Sequence, residues 1–74
     1  MPQYFFHVRG PNFYTEDTDG VTLPDEGAAR KYAERIADDL GAEAEYSGHT
    51  VILATERGDE ILRVAVLSNE STRH

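Results

Sequence analysis

The chain has 74 residues, no cysteine, and 14 acidic side chains against 7 lysines and arginines, for a net charge of −7. One domain of this length buries only ~60% of its unfolded surface; the lack of cysteine excludes disulfides, thiolate chemistry and cysteine-based zinc sites, and the acidity disfavours direct contact with nucleic-acid phosphates. No apolar run is long enough to cross a bilayer, and Met1-Pro2-Gln3-Tyr4 lacks the basic flank and apolar core of a signal peptide, so a cytoplasmic protein with no membrane partner is expected.

Tyr4-Phe5-Phe6-His7-Val8-Arg9 is aromatic and nearly continuous in apolar character, which suits a central strand. Alternation puts Tyr4, Phe6 and Val8 on one face and Phe5, His7 and Arg9 on the other. Gly10-Pro11-Asn12 is a turn signal, Phe13-Tyr14-Thr15 a short return strand, and Val21-Thr22-Leu23 its extension beyond the acidic stretch Glu16 to Gly20.

Pro24-Asp25-Glu26 opens a helix, with Asp25 as N-cap and Glu26 complementing the positive end of the dipole. Its apolar stripe is Ala29, Ala33, Ile36, Leu40 and Ala44, edged by Tyr32 and Ala37. Arg30, Lys31, Glu34, Arg35 and Asp38 fill the outside, and Arg35 with Asp39 forms an i, i+4 pair. Gly41 either ends or interrupts the helix. Asp38, Asp39, Glu43 and Glu45 gather toward the C-terminal end, where the dipole disfavours anions, and make a candidate patch for a basic partner.

The strongest signal is a hairpin from Val51 to Leu67 around Gly58-Asp59, a dipeptide suited to a two-residue turn. That turn sets Arg57 opposite Glu60, Thr55 opposite Leu62, Leu53 opposite Val64 and Val51 opposite Val66. Ile52, Ala54, Glu56, Ile61, Arg63, Ala65 and Leu67 then share the other face. Turn chemistry also accounts for the tripeptide Arg57-Gly58-Asp59, known otherwise as an adhesion ligand. Residues 68–74 form a polar tail containing the sequon Asn69-Glu70-Ser71.

These elements predict one α+β domain over residues 1–67, ordered strand-strand-helix-strand-strand, with an antiparallel sheet of three to four strands and one helix on one face. The first strand lies at the centre, between the second and third. The helix covers Tyr4, Phe6, Val51, Leu53, Val64 and Val66. The opposite sheet face stays open and partly apolar, which makes Phe5, His7, Arg9, Ile61 and Arg63 the candidate interface for a protein partner or a second copy.

Tyr4-Phe5-Phe6-His7, the acidic stretch ending in Asp19-Gly20-Val21-Thr22-Leu23-Pro24-Asp25, the Ala28-Ala29-Arg30 helix opening and the final hairpin together resemble a family of short bacterial proteins of unknown function. The likeness spans nearly the whole chain and implies a bacterial, cytoplasmic, single-domain protein, with no activity or ligand to carry over. The segment between helix and third strand is shorter than in that family, and the proline and phenylalanine often found near Ala65-Val66 are missing. A fainter likeness runs to acidic antitoxins of the HicB type, which also join an aromatic strand, a Gly-Val and Pro-Asp stretch and a helix, although their proline-glycine signature after the acidic turn is absent here.

Chemical motifs are weak. Thr15-x-Asp17-x-Asp19-Gly20 with Glu26 reproduces the later spacing of a calcium loop, but threonine replaces its first aspartate and Pro24 lies inside it. His7 and His49 could meet across adjacent strands, yet neither has a closely spaced second ligand. Ser47, Ser68 and Ser71 sit in no Gly-x-Ser-x-Gly elbow. The expectation is therefore a protein without enzymatic activity, metal or cofactor, which self-associates through the open sheet face. The alternative is an acidic, antitoxin-like regulator of a basic nucleic-acid-binding protein.

Overall fold

The aromatic opening segment forms the seven-residue strand β1, Gln3–Arg9. In the computed structural model, which describes residues 2–42, 46 and 48–67, it is followed by β2 (Tyr14–Thr15), β3 (Val21–Thr22), α1 (Glu26–Gly41), β4 (Thr50–Thr55) and β5 (Glu60–Ala65). All pairings are antiparallel. The order is β2-β1-β4-β5, with β3 pairing the same edge of β1 as β2. The α+β architecture and the central place of the first strand are thus as expected. The return strand, however, is split in two.

The split is a local excursion. Val8 pairs Thr15 and Tyr4 pairs Val21, so the five residues 16–20 stand opposite only three of β1, residues 5–7. At the other end of the return, the turn after β1 is closed by Gly10 N–H donating to the Phe13 carbonyl at 2.8 Å.

Helix α1 begins as its sequence dictates. Asp25 is extended (φ −160°), and its Oδ1 accepts the Ala28 N–H at 2.8 Å, satisfying one of the donors a helix start leaves over. The buried stripe is Ala29, Ala33, Ala37 and Gly41, at a strict spacing of four. This corrects the expected stripe, because Ile36 and Leu40 only flank it, half-buried against the core. Small side chains let the helix axis approach the sheet closely, and the larger residues fill the margins. The core itself is Tyr4, Phe6, Val51, Leu53 and Val66 with the helical alanines. Complete burial of Leu53 or Val51 is worth ~1.5–3 kcal/mol each.

Two further expectations are corrected. Arg35 and Asp39 form no ion pair; the i, i+4 bridge of this helix is Arg30 to Glu26, at 2.9 Å. The helix ends at Gly41, where the Ala42 N–H turns back to the Asp39 carbonyl at 3.3 Å. Ala44, Glu43, Glu45, Ser47 and the tail from residue 68 lie outside the described residues.

The hairpin register also differs, by two residues. Leu53 faces Leu62 and Val51 faces Val64. The cause is Thr55: its carbonyl accepts Gly58 N–H at 2.9 Å, its Oγ1 accepts Arg57 and Asp59 N–H at 3.3 and 3.2 Å, and its own N–H reaches the Asp59 carbonyl at 2.9 Å. Gly58 supplies the positive φ of 88° that closes this wider loop. A shift of two preserves the faces of the strands. Ala54 then faces Glu60, which leaves Ile61 as the extra residue of a β-bulge.

Candidate functional site

Alternation along β1 and β4 directs Phe5, His7, Arg9, Ile52 and Ala54 to the sheet face that α1 leaves open. Ile52 and Ala54 are nevertheless only 7% and 3% exposed. They floor a concavity of about 340 Å³ walled by His7, Arg9, Tyr14, Glu16, Glu60 and Arg63. A second hollow of about 290 Å³ adjoins it, sharing His7 and Glu16 and adding Phe5, Thr55 and Glu56.

The bulge at Ile61 shapes this wall. In a regular strand, residues three apart point to opposite faces; the extra residue brings Glu60 and Arg63 to the same one. Both oxygens of Glu60 accept from Arg63, from its Nε and, at 3.1 Å, its Nη2. The hydrogen bonds to Arg63 hold the Glu60 carboxyl below its usual range, and reciprocally hold the guanidinium above its own. Arg9 instead places its guanidinium 6.0 Å from the Tyr14 ring centre, at the limit of a cation–π contact.

The Glu16–Gly20 excursion is held over the same face by Asp17. Its Oδ2 accepts the Phe6 N–H at 3.1 Å, and its Oδ1 accepts the N–H groups of Asp19 and Gly20, each at 3.1 Å. Partial burial raises the Asp17 pKa, but those three donors, Gly20 foremost, and the nearby His7 outweigh it and hold the carboxyl below its ordinary value. The Asp17 N–H in turn donates to His7 Nδ1 at 3.0 Å. In neutral His7 the proton therefore sits on Nε2. The His7 ring packs 5.8 Å from that of Tyr14.

Of the five interface candidates read from the sequence, Phe5, His7, Arg9 and Arg63 line the two hollows. Ile61 lines neither and packs against the core cluster. Sequence reasoning missed Tyr14, Glu16 and Glu60 as wall residues. The first two were within reach, since continuing alternation from Tyr14, the partner of Arg9, gives Glu16 the same face.

The acidic patch lies on the helix, across the molecule from these hollows. Asp38 and Asp39 are exposed in the last turn of α1, which contains no basic residue, while Glu43 and Glu45 fall outside the described residues. Metal geometries are not assembled. Asp17 directs both oxygens to backbone donors, and no group of three or more potential ligands converges among the described residues. His49 shares the parity of Val51 and packs between the rings of Phe13 and Tyr46, 5.0 and 5.3 Å away, on the face opposite His7. The two histidines cannot share an ion. Ser47, Ser68 and Ser71 lie outside the described residues.

No helix among the described residues is long and apolar enough to cross a membrane. No curated protein and no solved structure matches the chain. A family model does match it, over residues 3–68 and thus nearly end to end, and the chain belongs to that family, described as Domain of unknown function (DUF6894).

Proposed function

We propose that this chain is a small, non-enzymatic interaction module of the bacterial cytoplasm that associates with a second copy of itself through the open sheet face. The observation that supports this reading is the concavity floored by Ile52 and Ala54, with Phe5 beside it and charges of both signs on its wall. Because Ile52 and Ala54 are nearly buried, the accessible surface is chiefly the polar wall with half-buried Phe5 beside it, a composition that suits a small, polar-rimmed protein–protein contact. Mass in solution by light scattering over a concentration series tests it. The expected result is a dimer that persists at high salt and dissociates on Phe5→Asp; a monomer at every concentration refutes it.

A second reading has one observation in its favour. Asp38 and Asp39 stand in a last helical turn with no basic residue to offset them, against the preference set by the dipole. A basic, nucleic-acid-binding protein regulated in the manner of an antitoxin would complement that patch. Such an association weakens steeply with salt, whereas the sheet-face contact does not.

A further inference from the structure

We infer that the two copies are keyed by a reciprocal ion pair, Arg9 of each against Glu16 of the other. This rests on the self-association proposed above and specifies its geometry. Four charged side chains wall the concavity: Arg9, Glu16, Glu60 and Arg63. Glu60 and Arg63 already neutralise each other within the chain through two hydrogen bonds. Arg9 and Glu16 are exposed, and among the described residues neither has an ion-pair partner. Beside the closed Glu60–Arg63 pair, the concavity thus presents one cation and one anion that make no ion pair of their own, Arg9 acting on Glu60 only through space, above the nearly buried Ile52 and Ala54.

Such a face is complementary to itself. In a two-fold contact the same patch serves both subunits, so an axis passing between Arg9 and Glu16 brings each against its opposite on the other copy, twice. Charge favours this arrangement. Each chain carries −7, and two copies repel at a distance; the four charges of this concavity cancel, whereas the hollow beside it adds Asp17 and Glu56, so a contact centred on the first is the less repulsive one.

Size indicates what the pair contributes. Three strands of six or seven residues and the split return strand beside them, about 5 Å apart and ~3.3 Å per residue, span at most roughly 20 by 20 Å. That is about half the area per partner of a standard interface, ~800 Å². The expected dimer is weak, and its exposed ion pairs act on orientation and discrimination more than on affinity. Reversing one charge does more than removing it, because repulsion then appears at both symmetric positions.

The experiment is sedimentation equilibrium on the full chain, with Arg9→Glu, Glu16→Arg, the double variant and Phe5→Asp, each checked for native circular dichroism. Each single reversal is expected to weaken dimerisation about tenfold. The double variant should dimerise like the parent, and an equimolar mixture of the two single variants should form a heterodimer. Arg9→Glu makes the chain more acidic and Glu16→Arg less so; a pure net-charge effect would therefore move the two in opposite directions. A parent dimer that Phe5→Asp dissociates but neither reversal affects would leave the sheet-face contact standing and overturn the Arg9–Glu16 pairing. A parent that is monomeric throughout would overturn both.

Discussion

Asp17 occupies the place of a missing strand beside Phe6. Between the Val8–Thr15 and Tyr4–Val21 pairs no backbone carbonyl of the return strand meets the Phe6 N–H, and the Asp17 carboxylate accepts it instead, at 3.1 Å. The same carboxylate closes the turn that carries the chain into β3. One side chain therefore joins two half-strands.

Removing it should be costly for a domain this small. Hydrogen bonds to a charged group contribute ~1.5–3 kcal/mol, and Asp17→Ala gives up three of them, partly replaced by water at this half-buried site. A loss of about 2 kcal/mol is expected, lowering Tm by roughly 8–16 °C at this chain length. Urea denaturation measures it; a change below about 0.5 kcal/mol, typical of plain surface substitutions, would mean that the excursion holds without Asp17.

Acid should act through the same residue. Asp17 and Glu60 both have folded-state pKa values below their ordinary 3.8 and 4.5, so the native chain binds fewer protons than the unfolded one. Their contribution to stability is complete above those ordinary values and is lost as pH falls through the lowered ones. Denaturation midpoints should therefore drop below about pH 4, and the drop should be shallower in Asp17→Asn. Parallel pH profiles for parent and variant would contradict this account.

The hairpin yields a test of its register. Gly58 has a φ of 88° with open space around it, so Gly58→Ala adds only backbone strain, about 1–2 kcal/mol. Thr55→Val removes the oxygen that accepts from Arg57 and Asp59 and should cost about 1 kcal/mol. Cross-strand NOEs separate the alternatives. The observed register sets Leu53 opposite Leu62 and Val51 opposite Val64; contacts pairing Leu53 with Val64 and Val51 with Val66 instead would refute it.

That register marks where sequence reasoning stopped. Faces were legible, because period-2 alternation survives a shift of two and the apolar residues of β4 and β5 sort correctly in either register. The helix start was legible too, since an aspartate after Pro24 has one obvious use. Gly58-Asp59 alone could not distinguish a two-residue turn from a wider one closed by the side chain of Thr55. The misplacement of Ile61 on the open face follows from the same ambiguity. Asp17 was hidden among acids that resemble a solvated turn, although an aspartate three residues before glycine is a recurrent way to satisfy backbone donors in a turn. Ile36 and Leu40 drew the helical stripe toward themselves by size, whereas close packing placed Ala37 and Gly41 at its centre.

The alanine stripe makes a prediction of opposite sign to ordinary hydrophobic logic. Ala33 is fully buried and Ala37 is 4% exposed, so Ala33→Leu and Ala37→Leu add apolar surface yet should destabilise, by about 1–3 kcal/mol each through overpacking. Ile36→Ala, at the half-buried margin, should cost no more than they do. Thermal melts of the three variants decide it. Stabilisation by either leucine would show that helix and sheet are not in close contact.

His49 supplies the last test. It is 6% exposed, and its Nδ1 has no hydrogen-bond partner among the described residues. An unsatisfied buried nitrogen costs free energy that an apolar ring does not. His49→Phe, which keeps aromatic packing against Phe13 and Tyr46, should leave stability unchanged or raise it by up to about 1 kcal/mol. Gly10→Ala should do the reverse, since a Cβ there would fall 2.6 Å from the Phe13 ring and 2.7 Å from His49 Nε2, forcing the stack apart. If His49→Phe instead costs more than about 1 kcal/mol, the imidazole makes a polar contact that the packing of Phe13 and Tyr46 does not explain, and the start of β4 is where it should be sought.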